Sequence, residues 1–292
     1  MRALIVSDGR PGHVRQARAF CHYAQLECDE LQVRFRSPLA KAASYLLDRL
    51  GIYTARLFEP FEIEGAYDLV VGAGSATYYA TKLIARRLGA KSVALMEPKG
   101  FRKDFDLIFS QAHDGGEMVA NFAYAEPAGL VELGPQDVAV VVGGPNCRLA
   151  MEPERIKKLF DFVFERFGGK KVLTTSPRTP KEIEALAERY PWDYKVIYSR
   201  YPVNPIGDFL QAGTIFVTQD SVSMISEAIS GGRARVEVVP LKGDAGKFGA
   251  MVERLAKEGY VHIFDGTLGD ARRKVDFGFV RERVEKILRG GS

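Results

Sequence analysis

Ten short apolar runs punctuate this chain, and helix-period stretches fill much of the space between them. Five lie in the first half, at residues 3–7 (ALIVS), 31–35 (LQVRF), 68–72 (DLVVG), 92–96 (SVALM) and 106–110 (DLIFS). Five more lie in the second half, at residues 138–143 (VAVVVG), 171–176 (KVLTTS), 194–199 (YKVIYS), 214–219 (TIFVTQ) and 235–240 (RVEVVP). Runs such as VAVVV lack polar alternation, as expected for strands covered by helices on both faces. Helical patterns occupy residues 13–23, 77–88, 154–167, 180–190, 221–230 and 245–258. Strands alternating with helices in this way form βα units around a parallel sheet, so the fold class is α/β.

The chain has 292 residues, and at about 150 residues per domain that length predicts two domains. Its polar, Gly/Pro-containing stretch at residues 126–136 separates the two sets of runs. The expected domains are therefore residues 1–133 and 134–275, both Rossmann-like. Residues 276–292 read as a terminal amphipathic helix with Phe279, Val280, Val284, Ile287 and Leu288 on one side, expected to pack back on the first domain. With 46% hydrophobic and 27% charged residues, a disordered chain, a collagen-like repeat and a disulfide-stapled mini-protein are excluded. A net charge of +4 predicts no nucleic-acid partner. Three cysteines without a CxxC pair point to a reduced, cytoplasmic setting. The opening apolar run is too short for a secretory signal, and no window approaches a membrane-spanning length, so any membrane contact is expected to be peripheral.

In doubly wound sheets, ligands bind at the carboxyl ends of the strands. After the first run, Ser7-Asp8-Gly9-Arg10-Pro11-Gly12-His13 makes a tight turn into a helix. Its amides can approach a ligand closely, and a helix N-terminus favours negative charge. His13 is a candidate general base, because imidazole is suited to moving a proton near neutral pH; a helix cap is the alternative. Gly72-Ala73-Gly74-Ser75-Ala76-Thr77 only partly matches a dinucleotide turn, and Ser75 and Thr77 read as helix caps, with contact to a substrate hydroxyl as the alternative. Asp104-Phe105-Asp106 has a metal-type spacing but precedes its strand, so no metal is expected there. His113 and Asp114 follow the fifth run and read as a base with its orienting carboxylate, or as an Asx turn.

In the second half, Gly143-Gly144-Pro145-Asn146 offers a glycine turn to phosphates, although no G-x-x-x-x-G-K-[ST] occurs. Residues 174–180 place hydroxyls and the Arg178 guanidinium at a strand end, a group suited to phosphate, with Thr179 read as an N-cap. In TIFVTQDSVSMISEAISGG, at residues 214–232, Ser221 or Asp220 caps a helix. Ser223, Ser226 and Glu227 lie three and four apart on one face of it. Such a helix start takes a diphosphate, with Glu227 one turn in for ribose hydroxyls.

Jointly, SDGRPGHVRQ, PKG…FDLIFSQAHDGG, VVVGGPN, TTSPRTP and VTQDSVSMISEA, spread over residues 4–231, resemble the mitochondrial-fission Elm family of assigned glycosyltransferases. The resemblance implies the GT-B fold: two facing Rossmann-like domains, each a mostly parallel sheet with helices on both faces. It places the acceptor in the N-terminal half and the nucleotide sugar in the C-terminal half, without an essential metal. Carried over by residue, it points to Gly12 and His13, to His113 and Asp114, and to Gly143, Gly144 and Asn146 as a phosphate turn. It also points to Ser176 and Arg178, and to Ser221, Ser223, Met224, Ser226 and Glu227 at the donor helix. Gln111-Ala112 and Gly232-Arg233-Ala234 depart from the family pattern.

The expected activity is transfer of a sugar from a nucleoside-diphosphate sugar to an unidentified acceptor hydroxyl, lipid-linked in one version, with no metal and no obligatory cofactor. The alternatives are a nucleotide-sugar epimerase of the same fold and a non-catalytic factor bound at a membrane surface. The last is motivated by residues 35–61, where Leu39, Ala43, Leu46, Leu47 and Leu50 form an apolar stripe near Arg36, Lys41, Arg49 and Arg56. A stripe of that kind ordinarily faces a core, and that is the expectation here.

Overall fold

The computed structural model describes residues 1–112 and 115–290, with Lys247 described by its backbone only. The chain divides into two compact units, one of Met1–Ala123 with the chain from Asp276 onward, the other of Tyr124–Val275.

The first unit begins with β1 (Arg2–Ser7), α1 (Pro11–Ala24), β2 (Glu27–Gln32) and α2 (Pro38–Arg49). It continues through β3 (Leu69–Ala73), α3 (Tyr78–Leu88), β4 (Lys91–Leu95) and β5 (Leu107–Phe109). Its five strands are all parallel, in the order β2-β1-β3-β4-β5. That order reverses direction between β1 and β3, and the crevice at such a switch point is where an open α/β sheet accepts a ligand. β1 and β3 are apolar because helices cover them; Leu69, Val70 and Val71 are fully buried. Pro11 opens α1 at the first helical position, where a missing N–H costs nothing.

The expected strand at 31–35 begins four residues earlier, at the polar sequence ECDELQ. β2 is an edge strand, almost wholly exposed, and pairs along β1 from Arg2↔Glu27 to Ser7↔Gln32. Exposure on an edge removes the apolar signal by which a central strand is recognised. Ser75 does not cap α3, and Thr77 stands at its N-cap position without a side-chain capping bond. The Thr77 hydroxyl instead donates to the Gly74 carbonyl at 2.9 Å. The 35–61 stripe also departs from expectation: the residues that α2 buries are Ser44 and Asp48, and its leucines Leu39, Leu46 and Leu50 lie outside.

The second unit contains β6 (Val138–Val142), β7 (Leu149–Ala150), α4 (Pro153–Arg166), β8 (Lys171–Thr175), α5 (Lys181–Glu188), β9 (Tyr194–Val196) and α6 (Ile206–Phe209). It continues with β10 (Thr214–Thr218), α7 (Val222–Ser230), β11 (Arg235–Val239), β12 (Lys242–Gly243), α8 (Lys247–Lys257) and β13 (His262–Ile263). Six parallel strands run β13-β11-β10-β6-β8-β9, so the switch point lies between β6 and β10. This is the Rossmann strand order, and its core packs Val140, Val142, Ile156, Phe160, Leu173 and Phe216. The two-residue strands β7, β12 and β13 are too short to leave a period in the sequence.

Residues 124–133, assigned above to the first domain, belong to the second unit. They are tied there by Asp208, whose carboxylate accepts from the amides of Gly129 at 3.0 Å and Leu130 at 2.9 Å. The last helix, α9 (Phe279–Leu288), is part of the first unit. It buries Val280 and Val284, and the preceding Phe277 ring lies 4.8 Å from Tyr23 and 5.0 Å from Phe122. Among the described residues, no helix is long and apolar enough to cross a membrane.

Candidate functional site

At the switch point of the first unit, β1 ends in a turn that its own side chains organise. The Ser7 hydroxyl accepts from the Gly9 amide at 3.0 Å, and Asp8 accepts from the Arg10 amide at 3.2 Å. His13, in the first turn of α1, places Nδ1 3.1 Å from both carboxylate oxygens of Asp8. A carboxylate only accepts, so Nδ1 donates to it and the neutral ring keeps its lone pair on Nε2. Nε2 makes no hydrogen bond among the described residues. The ring lies against the end of β3 at Gly74, whose φ of +84° already favours glycine and where a Cβ would stand 2.5 Å from His13 Cε1. Nothing crowds Gly12, so that glycine leaves the helix N-terminus open. Met96, after β4, holds a left-handed φ of 80°, with its carbonyl accepting from the Tyr78 hydroxyl at 2.9 Å. His113 and Asp114 lie outside the described residues.

In the second unit the switch point is built around Asp220, whose side chain is fully buried. It follows β10 and accepts from the Gly144 amide at 3.0 Å, the Thr218 hydroxyl at 2.7 Å and Arg178 Nη2 at 2.7 Å. Thr218 in turn accepts from the Gly143 amide at 2.8 Å. A Cβ at Gly143 would collide with the Asp220 carboxylate, and one at Gly144 with the Arg178 carbonyl. The two glycines therefore let three loops close on one carboxylate, and their amides, expected to face phosphate, are taken within the protein. Asn146 is also internally engaged, its side-chain oxygen accepting from the amides of Arg148 at 2.9 Å and Leu149 at 3.0 Å. That is an Asx turn leading into β7.

Ser176 is buried and shapes the loop that carries Arg178, accepting from the Arg178 amide at 3.2 Å. Thr179 does not cap α5; its hydroxyl reaches back to the Val142 carbonyl at 3.1 Å. The Arg178 guanidinium is half exposed, with Nη2 on Asp220 and Nη1 3.4 and 3.5 Å from the carbonyl oxygens of Gly144 and Pro145. Ser221 is the N-cap of α7, accepting from the Met224 amide at 3.4 Å. The amides of Val222 and Ser223, at the helix start, have no acceptor among the described residues, as the geometry of a first turn dictates. Ser223 is exposed and Met224 half-buried, whereas Ser226 and Glu227 are buried under the second turn. The Ser226 hydroxyl has no hydrogen-bond partner among the described residues.

The two aspartates of the D-x-D sequence are engaged in structural contacts. Asp104 pairs with Arg86 at 3.1 Å, and Asp106 pairs with Lys91 at 3.1 Å while accepting from the amide and hydroxyl of Ser92, both at 2.8 Å. Burial would push the Asp106 carboxyl up, but Ser92 and Lys91 hold it below the usual carboxylate range. Among the described residues, no group of three His, Cys, Asp or Glu side chains is arranged to hold a metal ion.

Sequence reasoning missed Asp8, Gly74, Thr218 and Asp220 as members of these sites. Asp8 and Asp220 each directly follow an apolar run, which was the available signal.

The chain is similar in fold to several solved structures. The spinosyn rhamnosyltransferase SpnG shares 15% identity at a TM-score of 0.47, covering 99% of this chain and 92% of that one. The S. aureus MnaA–UDP co-structure shares 13% identity at 0.49, covering 100% and 98%. A glycosyl transferase family 9 structure from Veillonella parvula shares 11% at 0.47, covering 99% and 97%. No curated protein matches the sequence. The family model described as mitochondrial fission ELM1 matches residues 11–277, from the first residue of α1 through the sheet of the second unit to Phe277, and this chain belongs to that family.

Proposed function

We propose that the protein transfers a sugar from a nucleoside-diphosphate sugar to an acceptor hydroxyl, without a metal ion. The observation that carries this reading is the Arg178 guanidinium fixed by buried Asp220 beside the open first turn of α7. A departing diphosphate needs positive charge already in place. Arg178 and the amides of Val222 and Ser223 supply it without reorganising, because Asp220 has removed the rotational freedom of the guanidinium. Glu227, one turn along the helix, is the carboxylate assigned to the ribose hydroxyls.

The His13–Asp8 pair supports the other half of the reaction. His13 Nε2 takes the proton of the acceptor hydroxyl, and Asp8 stabilises the imidazolium that forms. The acceptor oxygen bonds to the anomeric carbon as the bond from that carbon to the diphosphate oxygen breaks, and the electron pair leaves with the nucleoside diphosphate.

A thermal-shift screen with UDP, dTDP and their sugars tests the proposal. At a hundredfold excess over its dissociation constant, a ligand of the native state adds about 2.7 kcal/mol, and Arg178→Ala is expected to remove most of the resulting rise in Tm. The reading fails if no nucleoside diphosphate raises Tm and Glu227→Ala changes nothing. Product analysis with free nucleotide sugar separates transfer from epimerisation.

A further inference from the structure

Helix α2 is amphipathic in the reverse sense. The residues it buries are polar, Ser44 and Asp48, while Leu39, Leu46 and Leu50 are 81%, 61% and 60% exposed. At about 100° per residue, the three leucines fall within a sector of roughly 40° on the side away from Asp48.

The inward face explains why the leucines stay out. Asp48 accepts from the Tyr53 hydroxyl at 2.6 Å, from Lys82 Nζ at 3.0 Å and from Arg102 Nε at 2.7 Å. Lys82 and Arg102 are themselves buried. Rolling the helix to cover its leucines would strand a buried carboxylate and two buried cations, which no gain from three leucines offsets. The leucines are therefore displayed on a fixed surface. Ile52 and Phe101, each about half exposed, extend the patch. The Arg49 guanidinium lies 5.9 Å from the centre of the Phe101 ring and ties that turn to the helix.

Charge decides what the patch meets. Between Phe35 and Phe58 the exposed charged side chains are Arg36, Arg49 and Arg56, and Asp48, the acid of that stretch, is inside. None of the three arginines has an acidic partner among the described residues. A second copy of the chain would bring these cations against themselves. An anionic lipid surface accepts both components, with leucines at the acyl boundary and arginines among the headgroups. We propose that α2 and the turn at Phe101 seat this unit on an anionic membrane surface. The proposal is independent of sugar transfer.

The test is co-sedimentation of the full chain with phosphatidylcholine vesicles, with and without about one third phosphatidylglycerol. The wild type is expected to partition onto the anionic vesicles alone. Neutralising Arg49 and Arg56 to Gln should lower partitioning about 25-fold, at about fivefold per cation. Leu39→Gln, Leu46→Gln and Leu50→Gln together should abolish it. These side chains are exposed, and a thermal melt checks that the variants fold; Phe101→Gln gives a second, single-site reading of the same patch. No partitioning onto anionic vesicles, equal partitioning onto neutral ones, or binding indifferent to the leucine and Phe101 variants overturns the proposal. Self-association that disappears in the leucine variant, with no vesicle binding, overturns it in favour of a second copy.

Discussion

His13 Nδ1 lies 3.1 Å from both oxygens of Asp8, five residues earlier, and the ring so oriented lies against a glycine on a neighbouring strand end. The neutral form of His13 is expected to carry its proton on Nδ1, visible in long-range nitrogen–proton NMR correlations and lost in Asp8→Ala. Gly74→Ala should displace the ring and cost about 1–3 kcal/mol, through positive φ and collision together. His13→Ala should reduce transfer by roughly 10²–10⁴-fold with Tm nearly unchanged. An unaltered transfer rate would remove His13 from the reaction.

Both members of the Asp220–Arg178 pair should be costly to remove. Asp220→Ala leaves the Gly144 amide and the Thr218 hydroxyl without their acceptor and is expected to cost about 2–4 kcal/mol in a urea titration. Arg178→Ala leaves a fully buried carboxylate without its counter-charge, held only by the Gly144 and Thr218 donors, and should cost about 3 kcal/mol while also weakening nucleotide binding. Nucleotide affinity unchanged in Arg178→Ala would mean that the pair acts only as a structural bridge.

Asp48 should make the first unit acid-sensitive. Burial alone would push its carboxyl up, but hydrogen bonds from Tyr53, Arg102 and Lys82 hold it below the usual carboxylate range. A carboxyl lowered by folding contributes stability that is present above its unfolded pKa of about 3.9 and is lost as pH falls through the folded value. Asp48→Asn is expected to cost about 3–5 kcal/mol near neutrality and to flatten the acid limb of stability against pH. Parallel acid limbs in wild type and variant would contradict this.

Lys274 predicts the opposite limb. Its ammonium donates to the carbonyls of Ala228, in α7, at 2.7 Å and Ala234 at 2.9 Å. Burial, helped by Arg272, pushes its pKa down from 10.5 to about 8. Between those values the unfolded chain binds the proton and the folded chain does not, so stability should rise with pH by about 3 kcal/mol. Urea unfolding of wild type against Lys274→Met across that range should show the slope in the wild type alone. A slope shared by both would assign it to other groups.

How legible each feature was in the sequence follows from how local its cause is. The central strands announced themselves because a strand buried on both faces must be apolar throughout, as Val138–Val142 is. The Ser221 cap was readable because its hydrogen bond spans three residues. β2 was misplaced because an exposed edge strand carries no such constraint. The face of α2 was misread because its period was correct and its orientation depends on Lys82 and Arg102, far along the chain.

By itself, then, the sequence determined that two α/β units would form and that their strand ends would be glycine turns opening into helices. Those features rest on periods and turn chemistry within about ten residues. Only the tertiary structure decided which polar atoms those turns satisfy. The Gly144 amide meets a carboxylate 76 residues away, and Arg178 meets the same carboxylate across 42. A buried polar group takes whichever partner the packed strands bring to it, and that partner leaves no mark at fixed spacing in the sequence.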